Sequence, residues 1–354
     1  MTTAPTTDSP AIVRYAALAL QTRCDAVNRF ERDDARAAML QSIDRIGRQV
    51  VTARRFIGQQ TRLVVLPEYF MTGFPMGESI EGWADKACVE PDGIEMDRLS
   101  GVAQSAGVYL SGNLYELDKH FPGLYFQTCF IMNPSGDVIL RYRRMISMYA
   151  PTPHDVWDRY LDVYGIDAVF PVADTELGRL ACCASEEILF PEITRAHALR
   201  GAEVILHSTS EVSSPDLTPK DIAKRARAVE NQAYVVSANT AGIFGTDIPD
   251  SSADGMSKVV DYKGNVLACA QTGESLVASA DIDIAGLRAA RHHIGMPAYL
   301  SRQRLEAFAS TYADFSVYPP NTLLRDGKPF VPERSHFLET HGKTIERMRS
   351  QGRL

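Results

Sequence analysis

Cationic character is what this chain most lacks. Across 354 residues, 37 Lys and Arg stand against 44 Asp and Glu, a formal charge of -7, with a pI near 5.7. No Lys/Arg-rich run with interleaved aromatics occurs that could neutralise phosphates, so no nucleic-acid partner is expected. No window reaches the roughly 18 consecutive apolar residues of a membrane span. Met1 to Pro10 is a Thr/Pro/Asp stretch without the basic segment and the apolar run of about 7–15 residues that mark a signal peptide. The chain therefore reads as cytoplasmic, with no membrane contact and with residues 1–11 as a flexible tail. The six cysteines, Cys24, Cys88, Cys129, Cys182, Cys183 and Cys269, include no CxxC pair and read as buried free thiols. Eight histidines include the adjacent His292 and His293 but no HxxxH or HExxH spacing, and no glycine-rich loop stands out. No metal and no cofactor are expected on that pattern. No repeat at a period of about 20–50 residues is visible.

What is present is the composition of an ordinary globular chain, 45% hydrophobic and 23% charged. Val13 to Leu20 is a short apolar run suited to a buried strand, and Ala35 to Phe56 carries Met39, Ile43, Ile46 and Val50 at helical spacing. A strand at Leu63 to Leu66, a helix near Met96 to Ala106 and a strand at Val108 to Leu114 follow. Tyr125 to Met132 and Val138 to Tyr142 flank Pro134-Ser135-Gly136-Asp137 as a hairpin. Further strands are predicted at Leu180 to Ala184, Val204 to His207 and Tyr234 to Ala238, and around the turn Asp261-Tyr262-Lys263-Gly264, with helices at Pro191 to Arg200 and Lys220 to Asn231. Strands that both alternate with helices and pair directly fit a layered α/β sandwich better than a barrel, since no eightfold strand–helix repeat can be counted. One catalytic-type domain is expected over residues 12–284. Residues 285–354, richer in Arg, His and Pro, read as a C-terminal extension making subunit contacts.

Three islands carry groups with chemistry: Leu66-Pro67-Glu68-Tyr69-Phe70, Tyr142-Arg143-Arg144, and Ser185-Glu186-Glu187-Ile188-Leu189-Phe190-Pro191-Glu192. Each lies just past a predicted strand. Taken singly, Glu68 is a loop carboxylate, Arg144 a surface cation and Ser185 a helix cap. Taken together, a carboxylate, a cation and a hydroxyl at strand ends are the base, oxyanion stabiliser and nucleophile that acyl transfer needs.

At these islands the chain resembles the nitrilase, or carbon-nitrogen hydrolase, superfamily, with further matching segments at Ala228-Val229-Glu230-Asn231-Gln232-Ala233-Tyr234 and Asn239-Thr240-Ala241-Gly242. The resemblance implies a four-layer α-β-β-α sandwich, a small amide, nitrile or related substrate, and a homo-oligomer. It places Glu68 at the family's general acid/base and Arg144 where the family has Lys. Counting back five from Phe190, it places Ser185 where the family has its Cys nucleophile. Glu186, through its backbone N–H, falls at the oxyanion position and Glu187 beside it. The further Glu the family often carries after its Lys is absent, since Pro151 and Thr152 occupy those positions with His154 and Asp155 nearby.

A serine hydroxyl needs a base where a thiol is readily ionised, and an arginine beside Glu68 can pair with it and fill the site. The altered set is thus compatible with an enzyme using Ser185, whether hydrolytic or not. It is also compatible with an inactive ligand-binding or partner subunit, and with a cysteine replaced by serine to trap substrate. Cys182 and Cys183 lie inside an apolar strand and read as core thiols. Substrate contacts are expected from the loop Met71 to Trp83 and from Ile146 to Tyr164, with Tyr149, His154 and Trp157 foremost.

Overall fold

The computed structural model describes residues 14–212, 214 and 216–354, so the expected tail at residues 1–11 lies outside it, as does Val13 of the first predicted strand. The first half of the chain supplies β1 (Tyr15–Ala19), α1 (Arg32–Ile57), β2 (Thr61–Val65), α2 (Ile94–Ala106), β3 (Tyr109–Leu117), β4 (Tyr125–Met132) and β5 (Val138–Arg143). The second half supplies β6 (Ala173–Thr175), β7 (Gly178–Ala184), α3 (Pro191–Leu199), β8 (Val204–Ser208), α4 (Pro219–Asn231), β9 (Tyr234–Ala238), β10 (Lys258–Val260) and β11 (Val266–Cys269). A further strand, β12 (Ser279–Ile282), returns to the first sheet.

Two six-stranded sheets result, in the orders β12-β1-β2-β3-β4-β5 and β11-β10-β9-β8-β7-β6. Each has three parallel strands at its centre, β1-β2-β3 and β9-β8-β7, extended by antiparallel strands on both sides. The period-two alternation of side chains assigns the two faces. In β1, Leu18 turns to the outer helix layer while Tyr15, Ala17 and Ala19 enter the inter-sheet core. In β2, Val64 turns outward and Leu63 and Val65 inward.

Outside the first sheet, α1 lays Met39, Ile43, Ile46 and Val50 onto it as one fully buried stripe, each side chain contributing on the order of 1.5–3 kcal/mol through lost apolar exposure. Asp33 and Asp34 in its first turn and Arg54 and Arg55 in its last complement the helix dipole. Ile193 of α3 and Ala223 and Ala228 of α4 cover the second sheet. The layers therefore run α-β-β-α, the four-layer sandwich that the family resemblance implies.

The boundary expected at residues 284/285 falls inside a helix, Ile284–His292, whose Ile284 and Leu287 are buried in the apolar cluster around the second sheet. Beyond it, Leu323 and Phe337 bury themselves against the first-sheet core, so residues 285–354 are anchored to the chain's own domain. The helix Ser335–Ser350 buries only Phe337 and Thr344, which is why its apolar pattern is faint in the sequence. Among the described residues, no helix is long and apolar enough to cross a membrane.

Candidate active site

Glu68 follows β2, Arg144 follows β5 directly and Ser185 follows β7 directly. They therefore sit at the ends of strands from both sheets, where the chain leaves the pleat and side chains are free of the core. The sheets are tied at this edge: Ser208 Oγ donates to the Leu66 carbonyl at 2.8 Å, and the Glu68 N–H donates to the Thr209 carbonyl at 3.3 Å. A cavity of about 710 Å³ opens here, lined by Glu68, Arg144, Ser185, Glu186, Tyr149 and Lys220 on its polar side and by Phe74, Met76, Tyr115 and Leu338 elsewhere.

Glu68 is only 1% exposed. Its Oε1 accepts from Gln127 Nε2 at 2.5 Å and from Arg144 Nη1 at 3.3 Å. Its Oε2 is buried and has no hydrogen-bond partner among the described residues. Gln127 bridges the pair by accepting from Arg144 Nη1 at 2.6 Å, and it also donates to Asn113 Oδ1. Arg144 further donates through Nε to the Ile146 carbonyl at 2.6 Å and through Nη2 to the Glu186 carboxylate. Four of its five N–H groups are thereby engaged, leaving one on Nη2. Burial works against the Arg144 charge, but Tyr69 and the carboxylates of Glu68, Glu186 and Glu187 outweigh it and raise its pKa. Burial, helped by the Glu68 charge, also raises the Tyr69 phenol.

Ser185 stands at a strained elbow, with φ of 50° and 7% exposure. Its carbonyl meets His207 Nε2 at 2.8 Å, and His207 Nδ1 meets Ser237 Oγ at 2.9 Å. Because a carbonyl only accepts, Nε2 carries the ring proton and Nδ1 accepts from Ser237. Burial, with Lys224 nearby, holds the His207 pKa well below its ordinary value, so the ring is neutral. The first-turn amide of Glu186 has no intrahelical acceptor within reach and lies beside the elbow. Ser185 Oγ accepts from Lys220 Nζ at 3.4 Å, and Nζ also donates to Thr209 Oγ1 at 3.2 Å.

The expected site residues are thus brought together in part. Glu68, Arg144, Ser185, Glu186 and Tyr149 share the cavity; Glu187, His154 and Trp157 do not. Glu187 points under the elbow, fully buried, and binds backbone amides. His154 and Trp157 pack against one another with their rings tilted, with Tyr318 beside His154, because the chain after Ala150 turns away into a short 3-10 helix and the helix Trp157–Tyr164. Asp155, near the position of the missing family Glu, caps Thr152 and accepts from Thr322. Cys182 and Cys183 are fully buried, whereas Cys269 on the edge strand β11 is half-buried. Gln127, His207 and Lys220 are residues that the sequence does not mark. The only signal near them is Thr218-Pro219, a helix-start pattern that sets Lys220 in a first turn without saying what that turn faces. Among the described residues, no group of three or more His, Cys, Asp or Glu side chains is arranged to hold a metal ion.

The carbon-nitrogen hydrolase family profile matches residues 20–292, and the chain belongs to that family. It is 27% identical over 252 residues to the omega-amidase NIT2 of Homo sapiens, covering 71% of this chain and 87% of the relative. Among solved structures it resembles Saccharomyces cerevisiae Nit3, a member of the nitrilase superfamily, with a TM-score of 0.61 at 20% identity, covering 80% of this chain and 95% of that one. It also resembles a cysteine-to-serine mutant of the Nesterenkonia AN1 amidase, with a TM-score of 0.59 at 22% identity, covering 85% and 98%. At those identities the structural likeness concerns the fold alone.

Proposed function

We propose that this chain cleaves the carbon-nitrogen bond of small amides or related compounds through a covalent Ser185 ester. The observation that carries the reading is the convergence of Glu68, Arg144 and Ser185 on one cavity, with Glu68 Oε2 lacking a partner. Ser185 Oγ attacks the carbonyl carbon, and the developing oxyanion accepts from the remaining Arg144 N–H and from the Glu186 amide. The C–N bond breaks as the amine leaves with a proton. Water, activated by Glu68, then releases the acid and restores Ser185. Phe74, Met76, Tyr115 and Leu338 favour an apolar acyl group.

A second reading has its own observation. The Arg144–Glu68 ion pair at 3.3 Å ties up the base, as expected of a ligand-binding protein without turnover. Ammonia release across a panel of small amides, nitriles and carbamoyl compounds decides between them. Release that disappears in Ser185→Ala supports the ester mechanism, and release equal in both proteins discards Ser185 as nucleophile. No release from either, with measurable amide binding, favours the binding protein.

A further inference from the structure

Among the described residues, the one side chain hydrogen-bonded to Ser185 Oγ is Lys220, at 3.4 Å. No hydrogen bond joins Ser185 to Glu68, and Arg144 spends its donors on Glu68, Gln127, Glu186 and the Ile146 carbonyl. The nucleophile's immediate polar partner is therefore neither of the groups that the altered catalytic set provides.

Lys220 is also placed unlike the other lysines around it. Lys224 pairs with Glu211 and lies 3.7 Å from Asp221, and Lys258 pairs with Asp221. Lys220 touches only the hydroxyls of Ser185 and Thr209, and no carboxylate among the described residues lies within ion-pair distance. It occupies the second position of α4, behind the Thr218 cap and Pro219. The positive end of a helix favours acids and disfavours an ammonium, so this lysine contributes nothing to its helix through charge. Its Nζ is instead held between two hydroxyls at the rim of the elbow, facing the cavity.

We infer that Lys220 is the proton carrier for Ser185. The inference rests on the amide-cleaving reading and moves its first proton transfer to a residue outside the Glu68, Arg144 and Ser185 set. As an ammonium, Nζ donates to Oγ, the arrangement observed. As the free amine it accepts the Oγ proton while the Oγ–C bond forms. The resulting ammonium gives that proton to the amide nitrogen as the C–N bond breaks, leaving acyl-Ser185, the free amine or ammonia, and neutral Lys220. Glu68 Oε2 remains available for the water that releases the acyl group. Thr209 holds Nζ in place between the two half-reactions.

The test reads Ser185 directly: the rate of its covalent modification by a fluorophosphonate, followed by intact mass, in the unmodified protein, Lys220→Met and Lys220→Arg, from neutral to alkaline pH. Ammonia release from the amide panel is measured alongside. Labelling should rise with pH in the unmodified protein and fall about a hundredfold or more in both variants, the scale of a lost general base. Recovery in Lys220→Arg would show that charge alone matters and overturn the proton-carrier role, as would undiminished labelling in Lys220→Met or an unlabelled Ser185 in the unmodified protein. Lys220 is partly exposed and free of ion pairs among the described residues, so the fold is expected to survive, as thermal melting will check. Thr209→Val leaves the helix untouched and offers a second route, slowing labelling if the anchored Nζ is the base and overturning the role if labelling is unchanged. Ammonia release lost in Ser185→Ala but kept in Lys220→Met would sink Lys220 alone. Release unaffected in Ser185→Ala would sink the parent reading instead.

Discussion

Four donors converge on the Glu187 carboxylate: the Tyr142 hydroxyl at 2.9 Å and the backbone amides of Met145 at 2.7 Å, Ile146 at 3.2 Å and Ala184 at 3.1 Å. It thereby ties the segment after Arg144 to the elbow before Ser185, holding two site residues in register from below. Burial pushes its pKa up to about 7, against Arg144 and these donors, which pull the other way. A carboxyl with a raised folded-state pKa contributes stability that is complete below its unfolded value and is lost as pH rises through about 7. Glu187→Gln has an amide nitrogen where one carboxylate oxygen accepts, leaving a buried donor unmet, and is expected to cost about 1–3 kcal/mol. Urea unfolding from about pH 5 to 8 should show that deficit narrowing as pH rises, because only the unmodified protein loses stability there. A deficit constant across that range would show that Glu187 does not titrate as argued.

At the scale of elements, the turn from β7 into the short helix Ser185–Leu189 is where strain sits. A residue with a Cβ in the left-handed region costs roughly 1–2 kcal/mol, and Ser185 keeps that conformation while His207 holds its carbonyl. Ser185→Gly is therefore expected to be about 1 kcal/mol more stable than Ser185→Ala, although both lack the hydroxyl. Equal melting temperatures would mean that the elbow is unstrained. The same scale shows what could be read beforehand. Strongly periodic elements were legible, such as the Met39, Ile43, Ile46 and Val50 stripe and the hairpin about Gly136, and so were Glu68, Arg144 and Ser185, each placed just past a strand. The helix Ile80–Ala87 was missed because Ile80, Trp83, Ala84 and Ala87 repeat over only two turns. Closeness in sequence misled for His154 and Trp157, since a loop does not carry a side chain's direction across a turn. Lys220 lies 35 residues from Ser185 along the chain and meets it only through the packing of α4 beside the elbow.

At the scale of the whole molecule, the C-terminal extension closes the cavity's outer edge. Arg334 donates to the Glu78 carbonyl, to the Tyr149 carbonyl at 2.7 Å and to the Tyr125 hydroxyl at 3.1 Å, joining the loop after Phe74 to the segment that holds Tyr149. Arg334→Ala frees both rims without touching Ser185, so KM for the best amide should rise about tenfold, on the order of 1.4 kcal/mol, with kcat changing less. Unchanged KM in steady-state ammonia release would mean that the rims hold themselves.

The two halves of the proposed machinery hang from different sheets, Glu68 from the first and Ser185 from the second. What keeps those sheets apart near the site includes the methyl groups of Ala17 and Ala19 and the thiol of Cys182, 3.8 Å from Ser111 Oγ of the facing sheet. These small side chains act as shims. The spacing between carboxylate and hydroxyl is a tolerance machined into the core, so a change of one carbon in that layer reaches the chemistry without altering any residue that lines the cavity.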